Sequence, residues 1–317
     1  MPFHAACIFL GCLRPLAKLN QEAKIDCIDA HFVYPDGMAA VLLGKVFGIP
    51  VTVSARGSDI NLYPEYLLIR PMIRWTLNHA DNVIAVSAAL KDKMLELGAS
   101  SARTHVIPNG VDERRFRYTG RTEAREKLNL PANAEILISV GALIPSKGHQ
   151  LMIRAFALVA PSHPNLQLHI LGEGSYRQEL EELVRELGLK DKVELTGKRP
   201  NEELQLWFNA ADLSCLASAR EGWPNVVTES LACGTPVVAT SVGGIPEILH
   251  KPELGVLVEQ TVESIASGLK KGLSTKWDRQ AISKLTRERT WEAVSAEVEA
   301  VLAQAIQKKP RPSSDRE

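Results

Sequence analysis

The sequence predicts an α/β protein with two Rossmann-like domains, each built on a parallel sheet. Short β-branched apolar runs alternate with helical periods along almost the whole chain, which indicates βαβ units. Several of these runs lack polar alternation, as expected of strands covered on both faces. The length of 317 residues suits two domains of roughly 150 residues each.

The elements follow from this alternation in chain order. The expected strands are 25–31, 50–54, 82–87, 105–108, 135–141, 166–172, 192–197, 212–217, 235–240 and 255–258. The expected helices are 37–47, 87–97, 148–159, 178–187, 262–272 and an amphipathic helix at 290–307.

A strand ending in the turn residues Pro108-Asn109-Gly110 predicts the domain boundary. We therefore expect an N-terminal domain at 1–110, a C-terminal domain at 111–289 and a closing helix at 290–307. The tail at 308–317 holds two prolines, two serines and mostly charged residues, so it is expected to be disordered.

Composition excludes several classes. The chain is 45% hydrophobic and 23% charged, unlike disordered or collagen-like proteins, and its 37 basic and 37 acidic side chains disfavour a nucleic-acid-binding protein. The five cysteines are an odd number without a C-x-x-C pair, and four lie in apolar runs. We expect reduced, buried thiols and a cytoplasmic protein. No apolar run approaches the ~20 residues of a membrane-spanning helix.

The loop Gly141–Gly148 follows an expected strand and opens a helix. A flexible turn, Lys147 and a helix N-terminus together form a typical anion site, although a plain turn with a solvated lysine is an equal alternative. Two further loops carry Gly172 with Gly174, and Lys198 with Arg199. By themselves these two loops are more typical of a tight turn and a solvated basic loop.

The most informative loop is Glu221-Gly-Trp-Pro-Asn-Val-Val-Thr-Glu229. Pro224 suits the start of a helix, so Asn225 and Val226 should supply first-turn amides. Glu229 then lies one turn after Asn225 on the same face, where a carboxylate can accept hydrogen bonds from a diol. Glu221 lies in the loop and Glu229 on the helix, which suggests that the two carboxylates have different roles on one ligand. Surface carboxylates near a helix start are the alternative.

These motifs resemble family 4 glycosyltransferases, which have the GT-B fold of two Rossmann-like domains facing a cleft and retain anomeric configuration. The resemblance rests on E-x7-E at Glu221 and Glu229, on Ser146-Lys147-Gly148, and on residues 108–112, 242–247 and 290–292. The N-terminal half is similar to the family at 31–37, 57–60 and 81–87.

The resemblance implies a metal-independent hexosyltransferase without a cofactor, which uses a UDP- or GDP-sugar and a glycan or lipid-linked acceptor in cell-surface polysaccharide synthesis. Lys147 and the amides of Asn225 and Val226 would hold the diphosphate, Glu229 the ribose, and Glu221 the transferred sugar. The implied catalytic residues are Glu221, Lys147 and Arg56. The other implied donor-site residues are Gly222, Gly141, Gly172, Gly174, Lys198 and Arg199, and the acceptor-side residues are His31, Asp36, Gly57 and Asp59.

Three departures from the family pattern stand out. Ala142 replaces a frequent arginine, and Arg56 stands where histidine is common and could form a salt bridge with Asp59. No strand with a glycine-rich loop precedes Cys27, so the N-terminal domain is expected to be incomplete, whether through a mis-assigned start, an internal fragment or a reduced protein. The alternatives to an active transferase are a catalytically impaired or truncated homologue that only binds nucleotide-sugar or a partner, and a GT-B sugar-nucleotide epimerase.

Membrane contact is also open. The segment at 67–75 mixes apolar residues with Arg70 and Arg74 on an expected helix, which could lie on the inner face of an anionic membrane. The alternative is a helix with one face in the core and its arginines in water.

Overall fold

The computed structural model describes residues 2–308. The strands are β1 (Ile28–His31), β2 (Val51–Ala55), β3 (Asn82–Ala85), β4 (Thr104–Val106), β5 (Glu135–Val140), β6 (Leu166–Leu171), β7 (Val193–Gly197), β8 (Leu213–Leu216), β9 (Val237–Thr240) and β10 (Gly255–Val258). The α-helices are α1 (His4–Ala23), α2 (Met38–Phe47), α3 (Ser58–Asn61), α4 (Arg70–His79), α5 (Ala88–Glu96), α6 (Arg121–Lys127), α7 (His149–Val159), α8 (Arg177–Glu186), α9 (Asn201–Ala210), α10 (Asn225–Ala232), α11 (Ile245–Ile248), α12 (Val262–Ser274), α13 (Arg279–Thr286) and α14 (Trp291–Lys308).

The chain divides into two compact units. The first unit runs to Asn109 and takes in α14 from Glu292, and the second unit comprises Gly110–Trp291. Helix α14 therefore starts at the end of the second unit and packs within the first. There Val294 and Val301 pack with Ile84 of β3, and the Asn82 side chain donates a 2.9 Å hydrogen bond to the carbonyl of Val301.

The first unit contains a parallel sheet of four strands in the order β1-β2-β3-β4. Every residue of β2 and β3 lies in the interior, including the polar Asn82. This fits the continuous apolar character that predicted these strands, because helices cover both faces.

The second unit contains a parallel sheet of six strands in the order β10-β9-β8-β5-β6-β7. From β5 the chain moves outward through β6 and β7, and it then returns to the other side of β5 for β8. In open α/β sheets, ligands bind outside the carboxyl ends of the strands where the order reverses. The loops that follow β5 and β8 therefore lie at the expected binding position.

Burial on both faces stabilises this second sheet. Phe156 of α7 and Leu269 of α12 are fully buried on one face with Leu168 of β6. On the other face Phe208 of α9 packs edge-to-face against Phe116, with ring centroids 6.1 Å apart. The burial of such side chains contributes roughly 1.5–3 kcal/mol each.

The structure corrects four expectations of local structure. Helix α1 was not predicted: Pro15 lies inside it, where proline is normally unfavourable, and Leu10 and Leu19 remain exposed on it. Helices α9 and α13 were also not among the expected helices. Lys308, expected to open the tail, ends α14; the rest of the expected tail, 309–317, lies outside the described residues.

The cysteines are free but not all buried. Cys215 and Cys233 lie in the core as expected, whereas Cys7 and Cys12 are exposed on α1 and Cys27 is half-buried. The expectation of burial was wrong for these three because it relied on apolar neighbours in sequence. None of the helices at positions 2–308 is both long and apolar enough to cross a bilayer.

Candidate functional site

The loop Gly141–Gly148, which follows β5, is fixed by the backbone of its neighbours. The amide of Gly141 donates to the carbonyl of Leu171 at 3.0 Å, and the amide of Leu143 donates to Glu173 at 2.9 Å. On the other side the amide of Ala219, after β8, donates to the carbonyl of Ser146 at 2.8 Å. The loop is thus held from both sides before any ligand binds.

Glycines permit this close packing. A Cβ at Gly172 would collide with the carbonyl oxygen of Gly141, and one at Gly174 would collide with that of Leu143. Gly148 has a φ of +71°, and a Cβ there would strike the carbonyl oxygen of Ala217. The structure therefore explains Gly172 and Gly174 by loop-to-loop packing, which the sequence alone did not suggest.

Lys147 and Glu221 meet although they are 74 positions apart. The Lys147 ammonium donates to Glu221 Oε1 at 2.6 Å. The lysine side chain is 27% exposed and that of Glu221 only 9%. The pair therefore joins the loop after β5 to the loop after β8 in a site largely shielded from water, where charge interactions are stronger than at the surface.

The loop that carries Glu221 is braced by the next strand–helix connection. The amide of Gly244 donates to the carbonyl of Gly222 at 3.1 Å, and Gly243, at φ +55°, leaves no space for a Cβ beside the carbonyl of Glu221. Gly222 is therefore part of the frame that holds Glu221 in place.

Helix α10 begins at Asn225, directly after Pro224, as the sequence predicts. Its N-cap residue Pro224 provides no side-chain cap, and the amides of Asn225 and Val226 form its first turn at the positive end of the helix dipole, four and five residues after Glu221. Glu229 lies one turn along the same helix. Burial raises the pKa of Glu229 to about 7, and Arg115 opposes this rise.

The loop after β7 presents Lys198 and Arg199 differently. Lys198 is exposed, while the Arg199 guanidinium lies 5.9 Å from the centre of the Trp207 ring and 3.9 Å from Glu203 on α9. Gly197, at φ +80°, accepts a 3.0 Å hydrogen bond from the amide of Gly172. The backbone of this loop is thus tied to the Gly172–Gly174 loop.

The first unit has its own polar cluster at the carboxyl ends of β1 and β2. Arg56 donates from Nε to Nδ1 of His31 at 3.1 Å, its Nη2 also contacts that nitrogen, and its Nη1 donates to Asn109 Oδ1 at 3.2 Å. A guanidinium only donates, so His31 Nδ1 is the acceptor and the ring proton lies on Nε2, 3.5 Å from Asp29 Oδ2. Burial lowers the pKa of Arg56, against the opposing charges of Asp29 and Asp59.

Asp59 does not form the salt bridge that the sequence suggested with Arg56. Its carboxylate is fully buried and accepts hydrogen bonds from the amides of Val33 and Gly57 at 2.8 Å and from the amide of Arg56 at 3.1 Å. Burial raises the pKa of Asp59 while these amides lower it. A buried, amide-bound carboxylate shapes the loop and cannot touch an acceptor directly, which corrects its expected acceptor-side contact.

The remaining acceptor-side residues flank this loop. Gly57 has a φ of +138°, which only glycine adopts readily, and Asp36 lies in a single helical turn at Val33–Gly37 that follows β1. Sequence reasoning missed Asp29 and Asn109. The i, i+2 spacing of Asp29 and His31 on one strand face was the available signal for Asp29.

Within residues 2–308 no three His, Cys, Asp or Glu side chains come together as a candidate metal site.

Comparison with known proteins gives two family matches. The model of the family described as Glycosyl transferases group 1 matches residues 120–289, and that of Glycosyltransferase Family 4 matches residues 2–115. The chain is 31% identical over 272 residues to a D-inositol 3-phosphate glycosyltransferase of Thermobispora bispora, covering 80% of this chain and 63% of that protein. It is 28% identical over 246 residues to an N-acetyl-alpha-D-glucosaminyl L-malate synthase of Bacillus anthracis, covering 77% of this chain and 64% of that protein. The chain thus spans less than two thirds of the length of these relatives.

A further relative is the putative teichuronic acid biosynthesis glycosyltransferase TuaC of Bacillus subtilis, at 29% identity over 87% of this chain and 67% of that protein. Among solved structures, Anabaena Alr3699/HepE in complex with UDP matches with a TM-score of 0.81 at 23% identity, over 91% of this chain and 82% of that chain. Sucrose-phosphate synthase of Thermosynechococcus elongatus matches with a TM-score of 0.79 at 23% identity, over 93% of this chain and 77% of that chain. These likenesses show the fold, which is the GT-B fold.

Proposed function

Because the chain belongs to the group 1 glycosyl transferases of glycosyltransferase family 4, we propose that it is a retaining hexosyltransferase. It transfers a hexose from a UDP- or GDP-sugar to a glycan or lipid-linked acceptor, in the synthesis of a cell-surface polysaccharide. The observation that carries the proposal is the ion pair between Lys147 and Glu221. Lys147 follows β5 and Glu221 follows β8, where the strand order of the second unit reverses, and the Glu221 loop leads into α10.

The donor diphosphate fits Lys147 and the first-turn amides of α10. A helix N-terminus supplies N–H donors and partial positive charge, and Lys147 adds a full charge. Glu229, one turn further along the helix, would accept hydrogen bonds from the ribose hydroxyls. The solved Anabaena Alr3699/HepE structures contain UDP and UDP-glucose, which supports a donor of this class.

The residues around the diphosphate suit a transfer without a metal. The bond between the anomeric carbon and the diphosphate oxygen breaks, and negative charge develops on that oxygen, where Lys147 and the α10 amides stabilise it. The acceptor oxygen bonds to the same face of the anomeric carbon, and its proton passes to the departing phosphate oxygen. Glu221 contacts the transferred sugar. Its ion pair with Lys147 favours this positioning role over a covalent one.

In the first unit we propose the acceptor side at His31, Asp36, Gly57 and Arg56. Arg56 remains protonated at neutral pH and cannot act as a base, so it would bind and orient an acceptor. The relatives include a protein named for teichuronic acid biosynthesis, which supports a polysaccharide acceptor. Two other relatives are named for inositol 3-phosphate and for L-malate. Small anionic molecules are therefore the second class of acceptor to test.

Thermal unfolding with UDP and GDP tests the donor site. Either nucleotide should stabilise the protein, by about 2.7 kcal/mol at a hundredfold excess over its dissociation constant. Glu229→Ala should remove most of this protection, because the ribose hydroxyls lose their acceptor. Glu186→Ala, an exposed glutamate of α8 in the same unit, is the matched control and should keep it.

Protection of Glu229→Ala equal to that of the wild type would contradict the ribose assignment. If the wild type binds a nucleotide but neither hydrolyses a donor sugar nor transfers it, the chain is the binding-only homologue rather than a transferase.

We also propose a cytoplasmic location with peripheral membrane contact. Leu67 and Leu68, in the turn before α4, are 87% and 68% exposed, and Arg70 and Arg74 are exposed on that helix. Exposed apolar side chains beside arginines suit an anionic lipid surface. In co-sedimentation with anionic vesicles, the wild type should bind and the double variant Arg70→Gln/Arg74→Gln should bind several-fold less. Equal binding of the two proteins would contradict the proposal.

A further inference from the structure

A buried histidine lies directly beneath the loop that carries Lys147. His149 is the first residue of α7 and is completely inaccessible to solvent. Its Nδ1 lies 3.2 Å from the hydroxyl of Ser139, a buried residue of β5. Nothing in the proposed transfer uses this side chain, yet a buried polar ring is costly unless it makes hydrogen bonds.

The Nε2 side of the His149 ring faces Gly141, at the start of the Gly141–Gly148 loop. This Nε2 is buried and has no hydrogen-bond partner among the described residues. Burial lowers the pKa of His149 to about 4, the nearby backbone of Ala142 and Gly141 opposes this shift, and the charge of Lys147 adds to it. The imidazole is therefore neutral near pH 7, with one donor and one acceptor nitrogen. The neutral ring can therefore support the first turn of the loop by packing against Gly141, without adding charge beneath the diphosphate.

Gly141 connects this ring to the lysine. A Cβ placed on Gly141 would lie 3.8 Å from His149 Nε2 and 3.9 Å from both Cγ and Cδ of Lys147. The ring and the lysine methylenes thus pack around the same α-carbon. The far end of the lysine is held by Glu221 at 2.6 Å.

We propose that His149 is a positioning residue that sets the place of the Lys147 ammonium, through its hydrogen bond with Ser139 and its packing against Gly141 and the Lys147 methylenes. This inference rests on the proposed donor site and deepens it. His149 does not touch the donor. It fixes the loop geometry from which Lys147 reaches the diphosphate, since supporting residues must hold a charged group close to its productive position.

A double-mutant cycle tests this role. The affinity for the nucleoside diphosphate that the wild type binds, UDP or GDP, is measured by calorimetry and compared with that for the matching nucleoside. His149→Gln should weaken diphosphate binding roughly tenfold, about 1.4 kcal/mol, and leave nucleoside binding unchanged. In a Lys147→Met background the same substitution should cost less than about twofold, because the two residues act through one contact.

Two variants complete the design. His163→Gln is the matched control: His163 is half-buried and pairs with Glu135 Oε2 at 2.8 Å, at the amino ends of β5 and β6 and thus at the end of these strands away from the Gly141–Gly148 loop. His163→Gln should leave the affinities for the nucleoside diphosphate and for the nucleoside unchanged. If His149→Gln fails to fold, Ser139→Ala, which removes only the Nδ1 partner, takes its place in the cycle and should show a smaller loss of the same pattern.

Equal losses for diphosphate and nucleoside, or a full additional loss in the Lys147→Met background, would overturn the positioning role. If the wild type binds the nucleoside diphosphate and His149→Gln binds it equally well, the positioning role is also overturned. That result would leave the proposed function unchanged. A wild type that binds neither UDP nor GDP would overturn the proposed function itself.

Discussion

At the residue scale, the ion pair with Glu221 gives the Lys147 ammonium a charged partner in the absence of ligand. Two buried charges are tolerated when they pair with good geometry, and the 2.6 Å contact satisfies that requirement. A diphosphate would offer Lys147 a second, more highly charged partner. On the proposed assignment, donor binding would change the partner of Lys147 rather than place a free charge in a preformed gap.

The raised pKa of Glu229 makes stability dependent on pH and, if Glu229 holds the ribose as proposed, nucleotide binding as well. Its pKa in the folded protein is about 7, above the ordinary value of 4.5, because of burial. A raised carboxyl pKa contributes stability that is complete below about pH 4.5 and is lost as the pH rises through 7. Glu229→Gln should therefore be more stable than the wild type at pH 8, by up to about 3 kcal/mol, and equal to it near pH 4.

Chemical unfolding of the two proteins between pH 4 and pH 8 measures this difference, and Glu186→Gln serves as the exposed control. A constant difference across the range would contradict the burial of an ionisable Glu229. If the carboxylate binds ribose hydroxyls, nucleotide affinity of the wild type should also increase between pH 5 and pH 7, since binding favours the ionised form.

At the element scale, glycines determine how closely the loops at the strand ends approach each other. Gly148 and Gly188 have nearly the same backbone conformation, with φ values of +71° and +67°. A Cβ at Gly148 would strike the carbonyl of Ala217, whereas nothing lies within 4 Å of one at Gly188. An alanine at position 188 would therefore cause backbone strain alone, whereas an alanine at position 148 would cause backbone strain and a steric clash.

Gly188→Ala should cost about 1 kcal/mol of unfolding free energy, the usual penalty of a left-handed alanine. Gly148→Ala should cost clearly more, about 3 kcal/mol, and should also weaken nucleotide binding because Lys147 precedes it. Urea unfolding and calorimetry measure the two effects. Equal costs for both variants would contradict the tight packing of the Gly141–Gly148 loop.

The sequence predicted the strands better than the helices. All ten expected strands occur, because β-branched runs covered on both faces have few alternatives. Helix α13 was missed since its described interior face consists of little more than Ile282 and Ser283, too few residues for a periodic signal. Helix α1 was missed for another reason: Pro15 lies inside it, and proline is normally unfavourable in a helix interior.

The candidate site was predictable only as separate loops. Lys147, Glu221 and Glu229 could be placed after strands or on a helix face from local pattern alone. The contact between Lys147 and Glu221 depends on β8 returning to pair with β5, a long-range event without a local signal. The amide-bound Asp59 and the buried His149 likewise required knowledge of what packs above them.

At the scale of the whole molecule, each unit presents its polar groups at the carboxyl ends of its own parallel strands. The second unit offers a cation, a helix N-terminus and two carboxylates, which suit a nucleotide-sugar. The first unit offers the Asp29–His31–Arg56 cluster, which suits polar groups of an acceptor. This division of chemistry agrees with a transferase of family 4, in which one domain binds the donor and the other the acceptor.

The central claim is that Lys147 holds the diphosphate of a nucleotide-sugar, and calorimetric titration of the wild type and Lys147→Met with UDP and GDP tests it most directly. The account predicts binding of at least one nucleotide by the wild type and a loss of roughly 10–100-fold in the variant, as expected when a charge-assisted contact is removed. Equal affinity of the two proteins, or no binding of either nucleotide by the wild type, would contradict it.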